Sequence, residues 1–256
     1  MLAIFTDYIA LPLIAFLPSL IWLVFYYKKD KHPEPRGLVV KIFLWGMLLA
    51  LPVYLLEIAF LMVFRPGTTV EQILNSPLPA YLYLFLIFLV GPIVEEALKL
   101  GIVRFHFLKN PAFDEPSDIM VYCVIGGLGF AGVENLIYAW QEPFFLNALA
   151  VVGLRAVSST LLHATAAAIA GYWLALSLKR NRSKLTLWGL AVAVVLHSCY
   201  NYFIWQKSAA VTAAGQGLSL VFVFALLLAM ALAVSWQFER LNKEKSVCQT
   251  ANSSNN

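Results

Sequence analysis

Seven long apolar stretches separated by short polar ones organise this chain. They fall near 7–27, 38–63, 79–104, 119–140, 150–178, 185–206 and 216–238. A bilayer-spanning helix needs about 20 apolar residues. The pattern therefore predicts an all-α, polytopic membrane helix bundle of about seven transmembrane helices. One integral membrane domain is expected over 1–245. Several stretches exceed a single span, which implies tilt or a surface-lying turn. The segment 144–155 is the candidate for such a turn. The polar, low-complexity tail 246–256 is expected to be disordered and cytoplasmic.

Composition sharpens this picture. Apolar residues make up 61% of the chain and charged residues 12%, against about 45–50% and about 25% in soluble domains. With a mean hydropathy of +0.77, a disordered chain, a coiled coil and a basic nucleic-acid-binding protein are all excluded. No nucleic-acid partner is expected. The three cysteines, Cys123, Cys199 and Cys248, are odd in number and far apart. They suggest neither a disulfide framework nor a zinc motif.

The basic residues set a topology. The first apolar stretch lacks the basic start and small-residue end of a signal peptide. Lys28, Lys29, Lys31 and Arg36 follow it instead. Thirteen of the 18 Lys and Arg residues lie at one set of loops and the C-terminal tail, while only Arg65 and Lys207 lie at the other. The positive-inside rule then gives N-out and C-in. A multi-pass protein of the cell membrane is expected, with the lipid bilayer as its surroundings and its oligomeric state open.

Glu57, Glu95, Glu96, Lys99, Glu134, Arg155, His163 and His197 interrupt the apolar segments. A charge at the centre of a span costs about 2.5–3.5 kcal/mol on insertion scales, and one Leu or Ile offsets only about 0.3–0.6. These groups must face one another or a wet cavity. Glu95 and Lys99 share a helix face, and Glu96 is their neighbour. Two close carboxylates in a dry site do not both ionise easily, which suits one of them to general-base work. Phe130 and Glu134 are also four apart, with Asn135 next. Glu134 needs a partner, and a plain Glu–Arg or Glu–His pair would satisfy it. His197 and Asn201 again share a face. Glu57 lacks a companion in the sequence and reads as structural or interfacial. Gly126, Gly127, Gly129 and Gly132 read as a close-packing face.

Two hydrolytic chemistries fit these residues. In one, Glu95 deprotonates a water that attacks a peptide carbonyl, and His and Asn side chains stabilise the oxyanion and protonate the leaving amine. In the other, two His and a Glu hold zinc and a second Glu is the base. The sequence holds neither HExxH nor G-x-S-x-G. The metal-free form is the preferred expectation, with no cofactor, and zinc is the alternative. A transporter or channel with an intramembrane proton relay is the rival from another class. An inactive relative that sequesters a membrane peptide is a second rival.

The order Glu95-Glu96-x-x-Lys99, Phe130-x-x-x-Glu134-Asn135, His163, His197-x-x-x-Asn201 resembles the PrsW family of intramembrane proteases. That family is related to the prenyl-protein endopeptidases and bacteriocin-processing proteins. Glu134 stands where those wider relatives carry His. Asp30-x-x-Pro33-Glu34-Pro35 and Phe113-x-Glu115-Pro116-x-Asp118 resemble two family loops, with His32 and Ile119 departing from the pattern. The resemblance implies cleavage of a single-span, membrane-anchored protein, such as an anti-sigma factor in envelope-stress signalling. It implies Glu95, Glu96, His163 and His197 as catalytic residues. Lys99, Phe130, Glu134, Asn135 and Asn201 are implied in support.

Overall fold

The computed structural model describes residues 9–29, 34–75, 78–110, 113 and 115–243. Asp30, His32 and Pro33 of the first family-like loop, and the tail 246–256, lie outside the described residues. All the described elements are helical. They are α1 (Leu11–Lys29), α2 (Arg36–Leu48), α3 (Ala50–Phe64), the short α4 (Val70–Asn75), α5 (Ala80–Phe85), α6 (Gly91–Ile102), α7 (Pro116–Trp140), α8 (Phe145–Ala156), α9 (Ser159–Arg180), α10 (Lys184–Ala209) and α11 (Ala213–Asn242).

Six helical stretches are long and apolar enough to cross a membrane. The third apolar segment of the sequence is built differently. It stays helical from Ala80 to Phe107, but π-helical turns at Leu86–Val90 and Val103–Phe107 flank α6. Pro92 explains the first of these. Its ring nitrogen has no hydrogen for the carbonyl one turn back, and the backbone takes a wider turn just before it. The predicted turn at 144–155 is α8, a separate 12-residue helix. It is too short to span, and it buries Ala148 and Val152 while exposing Leu146, Leu149 and Leu154.

Helix α7 is the axis of the bundle and is buried along most of its length. Side chains are nearly absent where its neighbours approach. A Cβ on Gly129 would lie 2.1 Å from the Phe43 carbonyl oxygen of α2, and one on Gly127 would lie 2.8 Å from the His163 carbonyl oxygen of α9. The glycine face thus brings two backbones against α7, and at Gly127 it draws in the turn of α9 that carries His163. Alanines on α9, including Ala164, Ala166, Ala167, Ala168 and Ala170, continue this close packing. The family-like loop ending in Asp118 starts α7. The Glu115 N–H donates to Asp118 Oδ2 at 2.8 Å within a reciprocal capping box.

Candidate active site

Three helices supply the centre: α9 packs along α7, and α10 packs on both α9 and α6. On α6, Lys99 lies three residues after Glu96 and four after Glu95, so it reaches both. Its Nζ donates to Glu96 Oε1 at 2.6 Å and to Glu95 Oε2 at 3.3 Å. It also lies 3.0 Å from Nδ1 of His163 on α9 and 4.6 Å from the centre of the Phe130 ring on α7. All of these side chains are buried.

The partners assign the imidazole protons. An ammonium only donates, so His163 Nδ1 accepts from Lys99. The proton of His163 is then on Nε2, which donates to Glu134 Oε2 at 2.8 Å. Glu134 is itself held by Arg155, which donates to it through Nη2. The same guanidinium donates to Ser159 Oγ at 2.9 Å and to Asn135 Oδ1 at 2.8 Å. Asn135 in turn donates to Thr160 Oγ1 at 3.0 Å. On α10, His197 Nδ1 lies 2.9 Å from Glu96 Oε1 and donates to that carboxylate. This leaves His197 Nε2 for the cavity that the residue lines.

Both rival partners of Glu134 are therefore used at once. Arg155 is the arginine of the Glu–Arg alternative, and Ser159 is a member of this network to which the sequence assigns no role. An intramembrane arginine near an intramembrane glutamate was the available signal, but which helix faces it is not written in the spacing. Asn201 lines the cavity, and its amide donates to the Ile87 carbonyl oxygen at 2.8 Å. The π-turn explains the need. The Gly91 N–H bonds Leu86 O, Pro92 has no N–H to give, and Ile87 O would otherwise have no donor.

The centre lies at the deep end of a cavity of about 420 Å³. Glu95, Phe130, His163 and His197 line its floor. Tyr83, Gln141 and Ser208 line it where α5 begins and α7 and α10 end. From Phe130 to Gln141 is about 16 Å of helix at 1.5 Å per residue, the length of about five residues of extended peptide.

One possible ligand atom from each of Glu95, Glu96, His163 and His197 lies within 4.8 Å of the other three. Two imidazoles with carboxylates are a donor set that suits a divalent cation such as zinc. Glu96 Oε2 is buried without a hydrogen-bond partner among the described residues, a lone acceptor inside the set. The Glu134 carboxylate behind His163 is the outer-shell partner that a metal-ligating imidazole ordinarily has. The residues present fit such an ion.

Comparison with known proteins gives the family. The family model described as PrsW family intramembrane metalloprotease matches residues 34–236. Protease PrsW of Halalkalibacterium halodurans is 30% identical over 198 residues, covering 75% of this chain and 83% of that protein. Protease PrsW of Oceanobacillus iheyensis is 28% identical over 73% of this chain and 79% of that protein. Protease PrsW of Bacillus subtilis is 27% identical over 73% and 79%. No solved structure matches the chain. The match takes in α2 through most of α11 and every residue of the buried centre, and this chain belongs to the PrsW family of intramembrane proteases.

Proposed function

We propose that this protein is an endopeptidase that hydrolyses a peptide bond of a single-span membrane protein, with Glu95 as the base that takes a proton from the attacking water. The observation that carries this reading is the meeting of Glu95, Glu96, His163 and His197 within 4.8 Å on the floor of a cavity deep enough for an extended peptide. The N-out, C-in topology puts the mouth of that cavity at the outer face of the membrane.

Each residue has a defined task. Glu95 accepts the proton as the water oxygen attacks the carbonyl carbon. Lys99 keeps the two carboxylates close together by placing a cation between them. Glu134, held by Arg155, fixes the Nε2–H tautomer of His163, so that Nδ1 presents its lone pair to the centre. His197 is oriented through its Nδ1–H to Glu96; without a cation its Nε2 takes the proton from Glu95 and passes it to the leaving amine, and with a cation on Nε2 Glu95 would deliver that proton itself. A divalent cation would be held by Glu96, His163 and His197, beside Glu95. When bound it supplies Lewis-acid polarisation of the carbonyl and a lower pKa for water.

A second reading is the metal-free glutamate mechanism. The specific observation in its favour is the Lys99 ammonium, already seated among three of the donors. Purified protein in proteoliposomes with a single-span substrate tests both. Hydrolysis at one defined bond supports the peptidase. Loss of hydrolysis with chelator, restored by one equivalent of zinc, supports the cation; full activity in metal-free protein supports the second reading. Ion or proton flux with no cleavage would overturn the function.

A further inference from the structure

The mechanism leaves one carboxylate of the cavity wall unused. Glu57 lies on α3 with Ala50, Val53 and Tyr54, and all four line the cavity. It is half-buried. Among the described residues no hydrogen bond or ion pair holds its carboxylate. The fixed cations nearby are already engaged: Arg155 with Glu134, Asn135 and Ser159, and Lys99 with the Glu pair and His163. An unpaired acid within an apolar span is costly, and such groups mark binding sites or conduction paths.

The position of Glu57 is set by a glycine. Its Oε1 lies 3.1 Å from where a Cβ on Gly91 would be, and Glu95 Oε1 lies 3.9 Å from the same point. The two carboxylate oxygens are therefore at most about 7 Å apart, the sum of those distances. Gly91 precedes Glu95 by one helical turn on the same face. The absent side chain lets Glu57 reach the cavity one turn from Glu95 on the side of the mouth. An extended peptide advances about 3.3 Å per residue. A substrate whose carbonyl is at Glu95 thus brings a residue one or two positions away against Glu57.

We propose that Glu57 is a specificity-determining residue that receives a basic side chain, Lys or Arg, one or two residues from the cut bond on the side of the mouth. The proposal rests on the peptidase reading. Lys99 pairs with Glu95 and Arg155 with Glu134, so Glu57 is the cavity acid left without a cation among the described residues, and a substrate that brings its own cation is favoured over one that brings an acid. The charge-assisted hydrogen bond it forms is of the stronger class.

The test uses full-length protein in detergent micelles and matched single-span peptides. The peptides carry Lys, Gln or Glu at each of the four positions on the mouth side of the cut. Binding is followed by fluorescence anisotropy and turnover by mass spectrometry. Wild type is expected to bind the best-placed Lys peptide roughly tenfold more tightly than its Glu counterpart. Glu57→Gln should remove the preference, and Glu57→Lys should reverse it toward Glu. With the Gln peptide, kcat of Glu57→Gln should stay within a few-fold of wild type. An unchanged preference in both variants overturns the proposal, as does a uniform fall in kcat for all peptides with no change in preference. If no peptide is cut by wild type, the peptidase reading fails, while the binding preference and its reversal still decide the role of Glu57.

Discussion

The ammonium of Lys99 lies 2.6 Å from Oε1 of Glu96, and the two residues are only 2% and 1% exposed. Removing one partner of a buried ion pair costs about 3–5 kcal/mol. Lys99→Gln should therefore lower thermal stability markedly and abolish cleavage. It also leaves the Glu pair and His163 without their internal cation. If the centre takes a divalent ion, added zinc should raise the unfolding temperature of Lys99→Gln more than that of wild type. Equal shifts in a thermal-melt titration would contradict cation binding at these residues.

Glu134 acts through His163, and its removal should affect the reaction more than the fold. Losing an outer-shell partner of this kind typically costs about 10–100-fold in activity or metal affinity. Glu134→Ala should show that loss in kcat with little change in KM. Glu134→Gln keeps an acceptor for His163 Nε2–H and should recover part of it. Steady-state kinetics on a single-span substrate provide the check, and equal activity in Glu134→Ala and wild type would remove Glu134 from the account.

Asn201 is tied to the backbone of the helical stretch that leads into Glu95. Asn201→Ala leaves Ile87 O without a donor, a loss of about 1–3 kcal/mol for a buried acceptor. Both stability and activity should fall together, because the π-turn that sets the position of α6 is released. A variant that loses activity at unchanged melting temperature would instead point to direct contact with the reacting carbonyl.

The topology has its own check. Thirteen basic residues against two at the opposite loops predict N-out and C-in by the positive-inside rule. Reporter fusions after residue 184 and at the C-terminus should read cytoplasmic. A fusion within 207–215 should read external. A C-terminus found outside would invert the membrane side assigned to the cavity mouth.

These residues also show what the sequence could and could not convey. Glu95 with Lys99, and His197 on its own helix, were legible because spacing on one helix fixes a shared face. The seven segments were legible because a bilayer leaves little choice of length and polarity. Contacts between helices were not. Glu134 and Arg155 are 21 residues apart across a change of helix, and nothing in their spacing says that they meet. The hydrogen bond from Asn201 to Ile87 O depends on a π-turn that Pro92 makes necessary, which a 3.6-residue period does not reveal. Glu57 looked isolated because its neighbour is a glycine, and the space left by an absent side chain is invisible along the chain.

The most direct test of the account is the turnover of one single-span substrate by wild type and by Glu95→Gln, reconstituted side by side in proteoliposomes. The substitution preserves size and leaves an acceptor oxygen for Lys99, so both proteins should melt as folded species. Wild type should release two products from one bond. Glu95→Gln, lacking the group that takes the proton from water, should fall by more than the roughly 10²–10³-fold expected for loss of a single oxyanion donor. Cleavage at a comparable rate by the folded Glu95→Gln protein would contradict the central claim.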